Sequence, residues 1–383
     1  MSSFSLRRFS EPETLKALDP SILIAFLRPF TDYLQRRAFQ LPNPATADLD
    51  YQHLCRVLLN PDESVPREMV DALYYVHELS DEEGMDGLLD VIGDHHSKIE
   101  ISPDATPADV AMLVWLKDPE ILKRQHAKGY AFRPHRFEHF RSRTSGIAPS
   151  GDDGLLIPLQ DHLDDWFENR KRGRGCQIFT FESSERLWIV IRHGEPYKRE
   201  GSIRGGKSAS EYFRPEKYDV LIYEASTGTI AVHAKGVRLI DKYLYSIGVF
   251  FFGDSGFFPV KREVTLTPLL KYGADSLSFE DFSNIEDVKL SEITNVRAGL
   301  ITEVNIKKSK DIFGALAKAG KQLPAFGEYT SAAIKFTAKD RSTPGTVTLR
   351  PPHIVSYSRN EDREIMEPFL RARGFMPGPS SLC

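Results

Sequence analysis

An α+β fold is predicted: a helical N-terminal domain, then a mixed or antiparallel sheet-rich C-terminal part with flanking helices. Up to about Gly129, Asp or Thr followed by Pro recurs ahead of apolar segments with helical spacing. After Gly175 the pattern changes to short alternating or β-branched runs. The charge changes as well: residues 1–120 carry 10 Lys and Arg against 22 Asp and Glu, residues 121–217 carry 19 against 13, and residues 218–383 carry 21 against 19. A formal net charge of −4 thus conceals an acidic start and a basic middle.

Each element follows from local chemistry. Asp19-Pro20, Thr106-Pro107 and Asp118-Pro119 read as a cap followed by the first helical residue. Leu54, Val57, Leu58 and then Val70, Leu73, Val76, His77 keep the spacing of an amphipathic face, so about six short helices are expected before Gly129. Thr144–Gly154 concentrates Ser, Gly, Pro and Asp as a linker would. A helix over Gln160–Arg172 follows, acidic at its start and basic at its end.

The runs Cys176–Phe181 with Leu187–Arg192, and Tyr218–Tyr223 with Thr229–Val232, read as two hairpins. Leu239, Tyr243, Leu244 and Ile247 then mark a helix over Val237–Phe252. Further strands are expected at 263–266, 287–290, 299–306, 329–337 and 346–349, with helices near 310–319 and 362–373. The resulting domains are an acidic all-helical one over 1–145, a sheet-containing α+β domain over 155–295, a smaller α+β subdomain over 296–376 and a flexible tail over 377–383.

Three cysteines without close spacing, Cys55, Cys176 and Cys383, argue against a disulfide scaffold or a cysteine zinc site and point to a reducing, cytoplasmic setting. The two arginines of Met1–Arg8 are not followed by an apolar stretch, so no signal peptide is expected, and the longest apolar patch, Ile247–Phe252, is too short for a membrane span. His95-His96 beside Asp94 lacks a third metal ligand nearby, Asp81–Asp86 lacks calcium-loop spacing, and no phosphate-binding G-x-x-x-x-G-K-S/T loop occurs. No cofactor and no metal site are expected.

Three constellations could carry function. The string Trp188-Ile-Val-Ile-Arg192-His193-Gly194-Glu195 resembles the strand and tetrad that open histidine phosphatases, where the histidine accepts the phosphoryl group. It lies far from the start of the chain, and the next histidine candidate, His233, follows without room for that family's helical insertion. The hairpin carrying Asp219, His233 and Lys235 resembles the core of restriction-endonuclease-like nucleases, whose two carboxylates hold magnesium. His233 stands where that family has its second acid.

The third is a basic strip. Lys123, Arg124, Lys128, Arg133, Arg136, Arg141 and Arg143 interleave with Tyr130, Phe132, Phe137 and Phe140, and Arg170, Lys171, Arg172 and Arg174 close the next helix. Cations neutralise phosphates and aromatic rings stack on bases. Lys198, Arg199, Arg204 and Lys207 around Gly205-Gly206 extend the strip. Its alternative use is docking on the acidic N-terminal domain.

Together these favour a non-catalytic protein that binds nucleic acid or a protein partner, a DNA-binding or adaptor subunit of a larger assembly, with bacterial antiviral defence as one setting. A degenerate metal-dependent nuclease, with magnesium its cofactor in that case alone, and a histidine-phosphatase-like enzyme are the alternatives.

Overall fold

The computed structural model describes residues 9, 11–42, 49–94, 99–150, 153–183, 185–259 and 263–378. The chain divides into two compact units, Met1–Gly129 and Tyr130–Cys383.

The first unit is helical: α1 (Pro12–Lys16), α2 (Pro20–Leu27), α3 (Thr31–Arg36), α4 (Tyr51–Leu59), α5 (Arg67–Glu78), α6 (Glu82–Asp94), α7 (Pro107–Lys117) and α8 (Pro119–Ala131). That exceeds the six expected, because α1 and α3 have only 5 and 6 residues, too few to display a helical period. The Asp/Thr-Pro signals are realised: Asp19 accepts from the Ser21 and Ile22 amides, Thr106 forms a capping box with Asp109, and Asp118 accepts from Glu120. Asp109 also accepts the Asp19 amide at 2.9 Å, so one buried carboxylate closes α7 and ties it to α2. Asp109→Ala is expected to cost about 2 kcal/mol, a lost cap plus an unsatisfied amide, read from the urea midpoint of this unit. His95 and His96 lie outside the described residues.

The second unit opens with β1 (Arg136–Arg141), α9 (Leu156–Glu168), β2 (Gln177–Ser183), β3 (Arg186–Gly194), β4 (Lys198–Arg204), β5 (Lys207–Phe213), β6 (Glu216–Glu224), β7 (Thr229–His233) and α10 (Val237–Phe252). It continues with α11 (Thr267–Tyr272), β8 (Ile285–Arg297), β9 (Glu303–Lys308), α12 (Ile312–Lys318), β10 (Glu328–Ala338), β11 (Gly345–Arg350), β12 (Ile354–Tyr357) and α13 (Asp362–Ala372). A ten-stranded sheet has the order β2-β3-β6-β7-β1-β12-β11-β10-β8-β9, and its pairings are antiparallel. The β4–β5 hairpin is a separate two-stranded sheet.

This topology differs from the expected domains. The division falls at 129/130 rather than 145 because β1 belongs to the sheet, pairing with both β7 and β12. Residues 296–376 supply strands to that same sheet. The stretch 263–266 forms no strand; the Glu263 and Val264 amides both donate to the Pro352 carbonyl.

Strand order reads alike outward from β1. On one side a meander, β7-β6-β3-β2, is followed in the chain by α10; on the other, β12-β11-β10-β8 is followed by α13. The helices cover opposite faces. Ile189, Ile191, Leu221, Ile230 and Val232 pack with Leu159, Leu163 and Phe167 of α9 and Leu239, Tyr243 and Ile247 of α10. The alternate residues Trp188, Val190, Val220, Ile222 and Ala231 join the core of Val347, Leu349, Met366, Phe369 and Leu370, around α13. Strands β3, β6 and β7 are therefore buried on both sides, which is why they read as continuous apolar runs, whereas β10 buries Ala332, Ile334 and Phe336 and turns Lys335 outward. The β6–β7 turn requires glycine: Gly228 has φ +66°, and a side chain there would meet Ser142 and Thr144.

Candidate nucleic-acid interface

Antiparallel pairing decides which charges meet. His193 opposes Lys217, Arg192 opposes Tyr218, and Val220 opposes His233, so the end of β3, the start of β6 and the end of β7 lie together. The start of β1 joins them, since the Arg136 carbonyl lies 2.8 Å from His233 Nδ1. At this end of the sheet the chain leaving α9 crosses β3 so closely that a Cβ on Gly194 would lie 2.5 Å from the Arg172 carbonyl oxygen. The segment 170–174 is thereby held beside Gly194.

Beneath this end is a buried polar cluster. His193 Nε2 and Tyr243 Oη each lie 2.9 Å from Asp219 Oδ2, and Lys217 Nζ stands 3.2 Å from Oδ1. Burial pushes the Asp219 carboxyl up, but the His193 hydrogen bond and charge, Lys217 and Tyr243 outweigh it and hold it below the usual carboxylate range. Burial and the adjacent Asp219 keep the Tyr243 hydroxyl protonated, as a donor.

His193 Nδ1 lies 2.9 Å from the Gly194 carbonyl oxygen, its ring stacks on Phe167 at 4.5 Å, and its side chain is 1% exposed. With both ring nitrogens engaged, the imidazole presents no nucleophilic lone pair to solvent. The cluster pins α9 and α10 onto β3 and β6.

The four residues singled out for catalysis do not converge. His193 and Asp219 meet on the face under α9 and α10; His233 lies on the other face of the sheet, and Lys235 is exposed past the end of β7. Magnesium coordination is opposed locally, because His193 stands at 2.9 Å from one Asp219 oxygen and Lys217 at 3.2 Å from the other. Among the described residues no group of three or more His, Cys, Asp and Glu is placed to hold a metal ion.

The basic residues separate into two sets. Arg133 lies over the Tyr130 ring at 4.0 Å, and Tyr130 stacks on Tyr218 at 3.9 Å, a three-layer stack of guanidinium and two phenols. Arg170 lies over Trp166 at 3.8 Å and Arg214 over Tyr197 at 4.3 Å. Exposed Lys171 and the partly buried Arg172 accompany them, the latter with Nη1 buried and without a hydrogen-bond partner. Arg136 is exposed at the same end, 3.7 Å from Glu138.

Arg141 and Arg143 belong elsewhere: β1 carries them to the opposite end of the sheet, where Arg141 stands 3.4 Å from the buried Glu263 carboxylate. Arg174 is neutralised by acids of the preceding α9, at 2.6 Å from Asp165 and 3.3 Å from Glu168. The rise of β1 along 136–141 carries to opposite sheet ends charges that a linear reading takes as one strip.

From this basic end the β4–β5 hairpin projects. It turns at Gly205-Gly206, with φ +54° and +75°, and carries Lys198, Arg199 and Lys207 with the exposed Tyr197, Ile203 and Tyr212. Residues 192–219 hold seven Lys and Arg against five Asp and Glu, one of the latter being the buried Asp219. Arg192, Arg214 and Lys217 escape a linear reading; pairing the two hairpins by register would have found them.

Among the described residues, no helix is long and apolar enough to cross a membrane. No protein-family model matches the chain, and no curated protein matches it in sequence.

Proposed function

We propose that the second unit binds nucleic acid at the basic end of its sheet, with Arg133, Arg170, Lys171, Arg172, Arg214 and the β4–β5 hairpin making the contact. The observation that carries the reading is the set of three arginine-on-aromatic stacks gathered at one sheet end. An arginine stacked on a ring keeps its planar fork fixed, so little side-chain freedom is lost on binding a phosphate. Exposed Tyr197 and Tyr212 supply faces on which unpaired bases stack. A hairpin of this width also fits the major groove of a duplex. No chemical step is assigned to His193 or Asp219.

Labelled single-stranded and duplex DNA and RNA of arbitrary sequence should bind at low salt, with affinity falling linearly on a log–log plot against salt. Replacing Arg133, Arg170 and Arg214 together by alanine is expected to weaken binding about 10–100-fold and to reduce the slope by about 2–3, one phosphate contact each. Arg141→Ala and Arg143→Ala, at the other end, should leave the slope unchanged. Failure of the wild-type chain to bind any of these at low salt removes the reading.

A further inference from the structure

The ten-stranded sheet ends on β9, which among the described residues pairs with β8 alone and whose residues from Glu303 to Lys308 are all exposed. An open edge presents unpaired backbone donors and acceptors, and proteins normally blunt it. Here the edge carries apolar side chains instead: Val304 is 58% and Ile306 54% exposed.

The sequence of this edge is complementary to itself. Laid antiparallel against a second copy and centred on Asn305, Glu303 opposes Lys307 and Val304 opposes Ile306 on both sides of the two-fold. Alternation puts the two kinds of pair on opposite faces. Glu303 and Lys307 share the face of Asn305, while Val304 and Ile306 meet on the other, beside Val296 and Thr294 of β8. Moving the centre one residue to Ile306 sets Val304 against Lys308 and Asn305 against Lys307. Centring between Asn305 and Ile306 sets Val304 against Lys307. One register satisfies both charge and apolarity. The terminal lysine does not compete for Glu303, since Lys308 lies 2.9 Å from Glu292; within the chain Glu303 has a loose contact to Arg297 of β8, at 3.8 Å.

We propose that β9 is a self-association edge, at which a second copy of this chain pairs antiparallel about a two-fold at Asn305 and extends the sheet across the dimer. The contact is isologous and therefore closes at two copies.

Sedimentation equilibrium on the full chain, without nucleic acid, tests it. The wild type should run at twice the chain mass. Glu303→Lys and Lys307→Glu should each weaken the dimer about tenfold, since each places two like-charged pairs across the two-fold. The double variant should restore it, and Ile306→Lys should give monomer. All these positions are exposed, so an unchanged unfolding midpoint verifies the fold. A wild-type chain that stays monomeric at the highest attainable concentration overturns the proposal, as does a dimer indifferent to the charge reversals.

Discussion

Replacing Glu367 with alanine is expected to destabilise the second unit by about 3–5 kcal/mol, the usual cost of removing one partner from a buried ion cluster. Glu367 is 2% exposed and lies 3.2 Å from Arg363, 2.8 Å from Arg371 and 3.4 Å from Arg186, and so ties α13 to β3. Without it, Glu224 remains as a carboxylate partner, at 3.4 Å from Arg186 and 2.6 Å from Arg371. Glu367→Gln should cost less, because the amide oxygen still accepts a hydrogen bond. Urea unfolding of the full chain, followed by a probe confined to the second unit, measures the change.

Acid acts on the same cluster. Burial lowers the pKa of His139 from 6.5 to about 3, reinforced by Arg363, Arg371 and Arg186 and opposed by Glu367. The unfolded chain therefore binds a proton near pH 6.5 that the folded chain refuses until about pH 3, and stability falls as pH drops through that window. For Glu367, burial favours the neutral form but the three arginines outweigh it, holding the carboxyl far below its usual range. Its contribution is complete above about pH 4.5, declines progressively below it and is gone only in strong acid. His139→Phe should flatten the upper part of this profile and leave the lower part.

Asp219→Ala is expected to cost about 3–4 kcal/mol, because it strips His193 and Tyr243 of a shared acceptor and leaves Lys217 without its carboxylate. Thermal unfolding measures it. At temperatures where Asp219→Asn remains folded, nucleic-acid affinity should match the wild type within about twofold, since the carboxylate lies inside the unit. Magnesium-dependent cleavage by the wild type that disappears in a folded Asp219→Asn chain would restore the nuclease reading.

Local chemistry made much of the fold legible. Asp19-Pro20 and Thr106-Pro107 announce their helices through a capping oxygen and a preset φ, and α10 spans the expected Val237–Phe252 because its apolar residues face a single core. Strands β3, β6 and β7 of the two hairpins could be read because burial on both faces makes them continuously apolar, and β2 through its alternation.

Strand β1 could not. Arg136-Phe-Glu-His-Phe-Arg141 carries charge at both ends, and its place depends on β7 and β12, which lie far away in sequence. The β4–β5 hairpin does carry a turn signal in Gly205-Gly206, masked by strands whose two faces are both largely solvated.

At the site, the meeting of His193 with Asp219 follows from two adjacent strands, but Tyr243 arrives from a helix and completes a structural cluster where motif resemblance suggested a catalytic one. The basic residues were visible individually. Which of them share a surface depends on strand direction, and that separates Arg141 and Arg143 from Arg133 and Arg170.

The salt dependence of binding to a fluorescently labelled oligonucleotide, compared between the wild type and the chain with Arg133, Arg170 and Arg214 all replaced by alanine, measures phosphate contact at this end of the sheet. Phosphate contact by the three arginines requires a steep negative log–log slope for the wild type, shallower by about 2–3 in the variant, with unfolding midpoints alike. Equal slopes in two folded proteins would contradict it.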